Sequence, residues 1–373
     1  MKALNTPLIS SVAFVLPAIA MSLALLVTPS AQATDYTYTA TGVTNWSAGA
    51  WTSATPSSSL DNELFFTAAT GQRMVTTNNL GAGFQLNKLS INNTSSNSNG
   101  QNFSVAGNSL DFVKNSSNAL PTIVLAKSNN SAGTTTISVA FTVTDALTVT
   151  STVNTSSPNA NSTIISSIIT NNAGITFNGA GTNTITLGNT GTGIVSGLGG
   201  ITVSGSYNVN MLGNNSYTGA TTVSSGTLTL GNNNRIADAS NLVMSGGTFA
   251  TAGFSETLGT LSVLTAASVI DLGSAASALV FSDSSGVAWD PSIGLSFINF
   301  DAGVDSIKIG TNSNGLTVTQ LGQITINGLA ATIDSNGFLA ISAIPEPTTY
   351  AAFVGALSLG WVAARRKRRA YAV

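Results

Sequence analysis

The sequence predicts an all-β fold: an elongated parallel β-helix, or solenoid, with a signal helix before it and a transmembrane helix after it. Three observations carry that expectation. Segments such as 134–139, 146–150, 174–177, 184–187, 201–203 and 227–230 alternate apolar with small polar residues. A period of two rich in β-branched residues marks a strand with one buried face. Clusters of Gly and Asn separate these segments, among them Asn178-Gly179, Leu187-Gly188-Asn189 and 230–234, and both residue types reach positive φ at little cost. Finally, the strand centres Ile175, Ile201 and Leu228 follow one another at nearly even steps, a spacing in the range of stacked repeats.

Residues 1–33 read as a Sec signal peptide. Lys2 supplies the positive start, 8–27 is mostly apolar, Pro29 breaks the run, and Ala31-Gln32-Ala33 is a small-x-small cleavage box. Signal peptidase acting after Ala33 would leave Thr34 as the first mature residue. The chain has no cysteine, which removes disulfides, thiolate chemistry and a lipid anchor on cysteine.

The passenger, 34–343, is built for folding rather than disorder. The whole chain is 43% hydrophobic and only 7% charged, with 37 glycines, whereas disorder needs low hydrophobicity and high charge. Between the two terminal signals, six basic residues face thirteen acidic ones. A Lys-poor, net acidic surface argues against a nucleic-acid partner. Stacked coils leave two open ends that invite edge pairing unless capped. Trp46, Trp51, Phe65 and Phe66 near the start, and Trp289, Phe297 and Phe300 late in the chain, supply the bulk for such caps.

Within 212–272, the residues Asn215, Tyr217-Thr218-Gly219, Thr221, Val223 and Gly226-Thr227-Leu228 follow the order N-x-Y-T-G-x-T-x-V-x-x-G-T-L. In this the stretch resembles the autotransporter-associated β-strand repeat, and 241–249 and 254–259 extend the pattern. The resemblance implies a β-helical passenger displayed at a cell surface. It does not extend to that family's export route, because the chain ends in a different kind of segment. Residues 281–343 are expected to form a C-terminal capping region, with Thr317 and Gln320 spaced as a capping box for one short helical turn.

The tail, 344–373, has three parts. Pro345, Glu346 and Pro347 form a stiff extended spacer, because proline fixes φ, lacks a donor and restricts the residue before it. Residues 350–364 carry no charge, and Arg365, Arg366, Lys367, Arg368 and Arg369 follow at once. An apolar span closed by a basic block stops translocation with the basic end in the cytoplasm. By motif, short membrane segment and basic end, this tail resembles the PEP-CTERM sorting signal of Gram-negative bacteria. The resemblance implies recognition of Pro345, Glu346 and Pro347 by exosortase, a membrane protease-transpeptidase, and processing during export. It further implies a transient stay in the inner membrane and company with exopolysaccharide.

Several chemistries are removed outright. The sequence has no histidine, which excludes Ser-His-Asp and Cys-His arrangements and the commonest zinc ligand. The glycine-rich stretch 188–200 lacks the Lys-Ser/Thr and the helix start of a phosphate loop. No cofactor or metal site is expected. A carboxylate-dependent glycan enzyme remains conceivable in chemistry, with Asp61 and Glu63 or Asp301 and Asp305 as the candidate pairs. Both pairs read as turn or edge residues, so no catalytic site is expected. Three functions follow in order: an exported structural or adhesive surface protein, a polysaccharide-binding module using rows of Thr and Asn, and a glycan-active enzyme.

Overall fold

The computed structural model describes residues 33–39, 42–48, 51–68, 73–93, 102–127, 134–153, 162–180, 184–189, 194–342 and Trp361. Among these the fold is all-β. Up to Ile324–Ile326, strands that neighbour one another within a sheet pair in parallel and lie one turn of chain apart, an arrangement consistent with a β-helix. A first sheet runs through ten strands from Thr34–Tyr38 to Leu261–Val263, and a second through fourteen from Gly42–Asn45 to Leu339–Ile341. The third side is a five-stranded sheet from Phe84–Leu86 to Val195–Ser196, and later a three-stranded one of Glu256–Leu258, Ala278–Phe281 and Ser306–Ile309.

Alternation along each strand becomes a column across the sheet, because in-register pairing stacks like position on like position. On the first sheet Ile123, Val149, Phe177, Val203, Val223, Met244 and Val263 form one continuous inward column, all buried. Thr122, Thr148, Thr176, Thr202 and Thr222 form the neighbouring outward column. The expected strands 184–187, 201–203 and 227–230 appear with those bounds.

Two sequence expectations are corrected. Ile175 does pair with Ile201, but the next partner of Ile201 is Thr221, a clearly shorter step along the chain. Leu228 lies on the second sheet between Val209 and Phe249. Alternation marks a strand without saying which side of a coil it occupies, and the coil shortens where the third side gives up its strand. Asn178-Gly179 is not a turn but part of the strand Ile175–Ala180, with Gly179 opposite Ser151. The glycine is required there by close approach: a Cβ would overlap the Ser151 carbonyl oxygen and sit 2.8 Å from the Tyr207 ring. Gly188 and Asn234 do turn the chain with positive φ, at 88° and 53°.

Both ends are closed. At the start, Trp46, Trp51, Tyr38 and Phe66 are buried, and Trp51 meets the other three edge to face, perpendicular to Trp46 at 5.9 Å. Such pairs contribute about 0.5–1.5 kcal/mol each beyond their burial. The indole N–H groups are satisfied by the Thr76 hydroxyl and the Trp46 carbonyl. Phe65, expected in this cap, instead faces outward beneath the Lys88 ammonium, 5.0 Å from the ring centre. At the other end, Phe297 is core, whereas Trp289 and Phe300 are half-buried against it.

The late closure is made by backbone rather than by aromatic bulk. Ile324–Ile326, Leu329–Ile333 and Leu339–Ile341 turn antiparallel and end the second sheet. The Asp290 N–H and the Trp289 indole N–H donate to the carbonyls of Val263 and Leu261 at the edge of the first. The Gly337 carbonyl accepts from the Ile309 N–H at the last three-stranded edge. The helix Val318–Gly322 carries the expected capping box: Thr317 Oγ1 accepts the Gln320 N–H, and Gln320 Oε1 accepts the Thr317 N–H.

Leu228 is fully buried and Thr229, beside it, faces out. Loss of a buried leucine costs about 2–5 kcal/mol, and a carboxylate in its place adds desolvation. Leu228→Asp should therefore lower the melting temperature far more than Thr229→Asp. Equal melting temperatures for the two variants would refute this strand facing.

Candidate functional site

The residues singled out as sorting signals lie mostly outside the described set. Ala31, Pro345, Glu346, Pro347, Arg365, Arg366, Lys367, Arg368 and Arg369 all fall there, as do the signal helix and, apart from exposed Trp361, the apolar span. Among the described residues no helix is long and apolar enough to cross a membrane. Ala33 directly precedes the first strand, whose Thr34 N–H donates to the Asp61 carbonyl.

The repeat-like segment gains a physical explanation position by position. Asn215 is buried, its Oδ1 accepting the Val195 N–H at 2.9 Å and its Nδ2 donating to the carbonyls of Gly213 and Arg235. One side chain thus ties three successive coils at a corner where the backbone leaves its ladder. Tyr217 is also buried, and its hydroxyl meets Thr221 Oγ1 at 2.6 Å. Thr221 in turn meets Ser240, which donates to the Gly219 carbonyl. Gly219 lies against the backbone of Gly200, which a Cβ would overlap. Val223 and Leu228 fill the interior. The N-x-Y-T-G-x-T pattern therefore encodes a corner: polar groups that satisfy one another, with no side chain where two coils touch.

Glu256, two coils beyond Asn215 on the same corner, is the exception. It is 1% exposed, and its Oε2 accepts the N–H groups of Arg235 at 2.7 Å and Ile236 at 3.3 Å. Oε1 is buried with no hydrogen-bond partner. Desolvation outweighs the backbone donors, and the nearby Asp238 charge adds to it, so the carboxyl is pushed up to about 7. Burial likewise pushes the neighbouring Tyr217 phenol up.

The outer faces of the middle coils carry hydroxyls, amides and methyls instead of charge. From 128 to 234 the only charged residue is Asp145. On the first sheet the threonine column is flanked by Thr150 and Asn178 in register. On the second, Thr184, Asn208, Thr227 and Thr248 stack in one column and Thr186, Asn210 and Thr229 in the next. Parallel strands space such columns about 4.8 Å from coil to coil and about 6.6 Å along the strand. Thr229 donates to Asn208 Oδ1 at 2.8 Å, a diagonal bond that ties one column to the other.

Three of the four carboxylates considered for glycan chemistry have structural partners. Asp61 Oδ1 accepts from the N–H and hydroxyl of Ser116, while Glu63 pairs with Lys88 at 3.1 Å. Asp305 accepts the N–H groups of Ser277 and Asp301, closing the expected loop 301–305. Sequence reasoning did not single out Glu256 or the surroundings of Lys308, because an inward acid and an outward lysine each fit a strand pattern without comment. Compared with known families, curated proteins and solved structures, the chain has no match in any of the three.

Glu256 sets a pH dependence whose sign follows from linkage. A carboxyl that titrates at 4.5 when solvated and about 7 when folded holds more proton in the fold between those values. Its contribution to stability is therefore greatest below pH 4.5 and falls as pH rises through 7, by about 3 kcal/mol in all. Glu256→Gln, neutral at every pH, should melt close to wild type at pH 5 and above it at pH 8. A difference between the two proteins that does not change with pH would show that Glu256 is not protonated in the folded chain.

Proposed function

We propose that this chain is an exported structural protein whose passenger, 34–343, is a parallel β-helix of the autotransporter-associated repeat type. It is delivered by a Sec signal and a PEP-CTERM tail to the surface or exopolysaccharide matrix of a Gram-negative bacterium. The observation that carries the reading is the order of segments. A cleavage box ends at Ala33, the first strand opens at Thr34, the last closes at Ile341, and the spacer, apolar span and basic block follow. Stop-transfer at the basic block holds the passenger on the far side of the inner membrane, and exosortase acting at Pro345, Glu346 and Pro347 then releases it.

A scaffold role suits what the passenger presents. Its middle coils offer nearly uncharged faces, and Asp61, Glu63 and Asp305, considered for glycan chemistry, have structural partners. The Thr and Asn columns favour a second reading, adhesion to polysaccharide through many weak hydroxyl contacts.

Replacement of Pro345, Glu346 and Pro347 by alanine leaves the apolar span and basic block able to stop translocation. In a host with exosortase, wild type should lose Tyr371 and the basic block, whereas the variant should accumulate in the inner membrane at unprocessed mass. Fractionation with intact-mass analysis reads both outcomes. If wild type keeps Tyr371 and fractionates with the variant, the tail is an ordinary single-span anchor.

A further inference from the structure

The late coils carry a concave site that the repeat pattern does not explain. Thr257, Val280 and Lys308 stand in register as the outward column of the three-stranded sheet. They form part of the lining of an open-sided groove of about 450 Å³, with Asp238, Asp283 and Thr311 among the other lining residues. That volume falls within the range of small-ligand sites, about 300–1,000 Å³. Beside the floor stands Phe338, bridged to Lys308 by backbone and 39% exposed, with the Lys308 ammonium 5.3 Å from its ring centre.

The chemistry of this groove is mixed in a specific way. Lys308 offers N–H donors, Asp238 and Asp283 offer carboxylate acceptors, Thr257 and Thr311 offer hydroxyls, and Phe338, beside Lys308 at the rim rather than in the lining, offers a part-exposed apolar ring. Asp283 stays ionised: Ser285 gives its N–H and hydroxyl to Oδ1, leaving the second oxygen for a ligand. Two carboxylates against one ammonium make the site net negative, which disfavours uronates, phosphates and nucleic acid by like-charge repulsion. A ligand that uses donors, acceptors and an apolar face together, without charge of its own, is a neutral sugar. Its vicinal hydroxyls can bridge ammonium and carboxylate while its C–H face covers the ring. The aromatic residues of the middle coils, Phe141, Phe177, Tyr207 and Tyr217, are all buried, so the Thr faces there lack such a ring.

We propose that this groove is a binding site for neutral hexose polysaccharide, taking a short internal segment of the chain. The proposal deepens the matrix reading and rests on it for biological context. Its test, however, is independent of tail processing, so either can fail alone. The experiment is titration of the full chain in detergent with cellohexaose, laminarihexaose and maltohexaose, with hexagalacturonate as the charged counterpart.

At least one neutral hexasaccharide should bind saturably, and hexagalacturonate should bind at least tenfold more weakly. Phe338→Ala and, separately, Asp283→Asn should each weaken binding about tenfold or more. Thr176→Val, on the threonine column of the first sheet, should leave binding unchanged. Because Phe338 also helps close the fold, Asp283→Asn, at an exposed position, serves as the variant that keeps its melting temperature. Failure of all three neutral sugars, preference for hexagalacturonate, or binding insensitive to Asp283→Asn would each overturn the proposal. Loss of binding in Thr176→Val would move the site to the threonine face and overturn it equally.

Discussion

The fold depends on parallel in-register pairing between coils whose strands are each very short. No such strand is stable alone, and an isolated pair is marginal. Each coil therefore borrows its stability from the coils above and below. Register slip by a single position would turn an entire inward column to solvent. That is why the columns are so uniform in character: Ile123 through Val263 on the inside, threonine after threonine on the outside. The same dependence makes the two ends the vulnerable places, and there the chain departs from its own pattern. Perpendicular indoles close one end, and antiparallel strands, a capped helical turn and the Trp289 loop close the other.

Corners are where ladder pairing stops, so polar backbone must be satisfied by side chains. Asn215, the Tyr217 to Ser240 chain of hydroxyls and Asn171, whose side chain bonds Gly174 and Gly200, all do this from inside the coil. Glu256 does it with a carboxyl group, and the uncharged, proton-bearing form is the one that burial favours. This acid links coil stability to pH. The outer surface follows the opposite rule from the corners. With Asp145 the only charge between 128 and 234, the middle coils have no electrostatic means of choosing a partner. Charge and exposed aromatic surface return together at the late coils around Lys308 and Phe338.

Much was determined by sequence alone, because the signals concerned are local. Period-two alternation settled strand existence, and 184–187, 201–203 and 227–230 needed no correction. The capping box at Thr317 and Gln320 was readable because both partners lie within one turn. The expectations for the terminal segments 1–33 and 344–373 rest on hydropathy and charge order, and those segments lie almost wholly outside the described residues. What only the tertiary structure decided is which strand lies on which side. The coil from Ile201 to Thr221 is shorter than the one from Ile175 to Ile201, and alternation has no memory of where the last turn was placed. The same reason hid the groove: Asp238, Thr257, the pair Val280 and Asp283, and Lys308 come from separate coils far apart along the chain, and only the stacking of late coils sets them side by side.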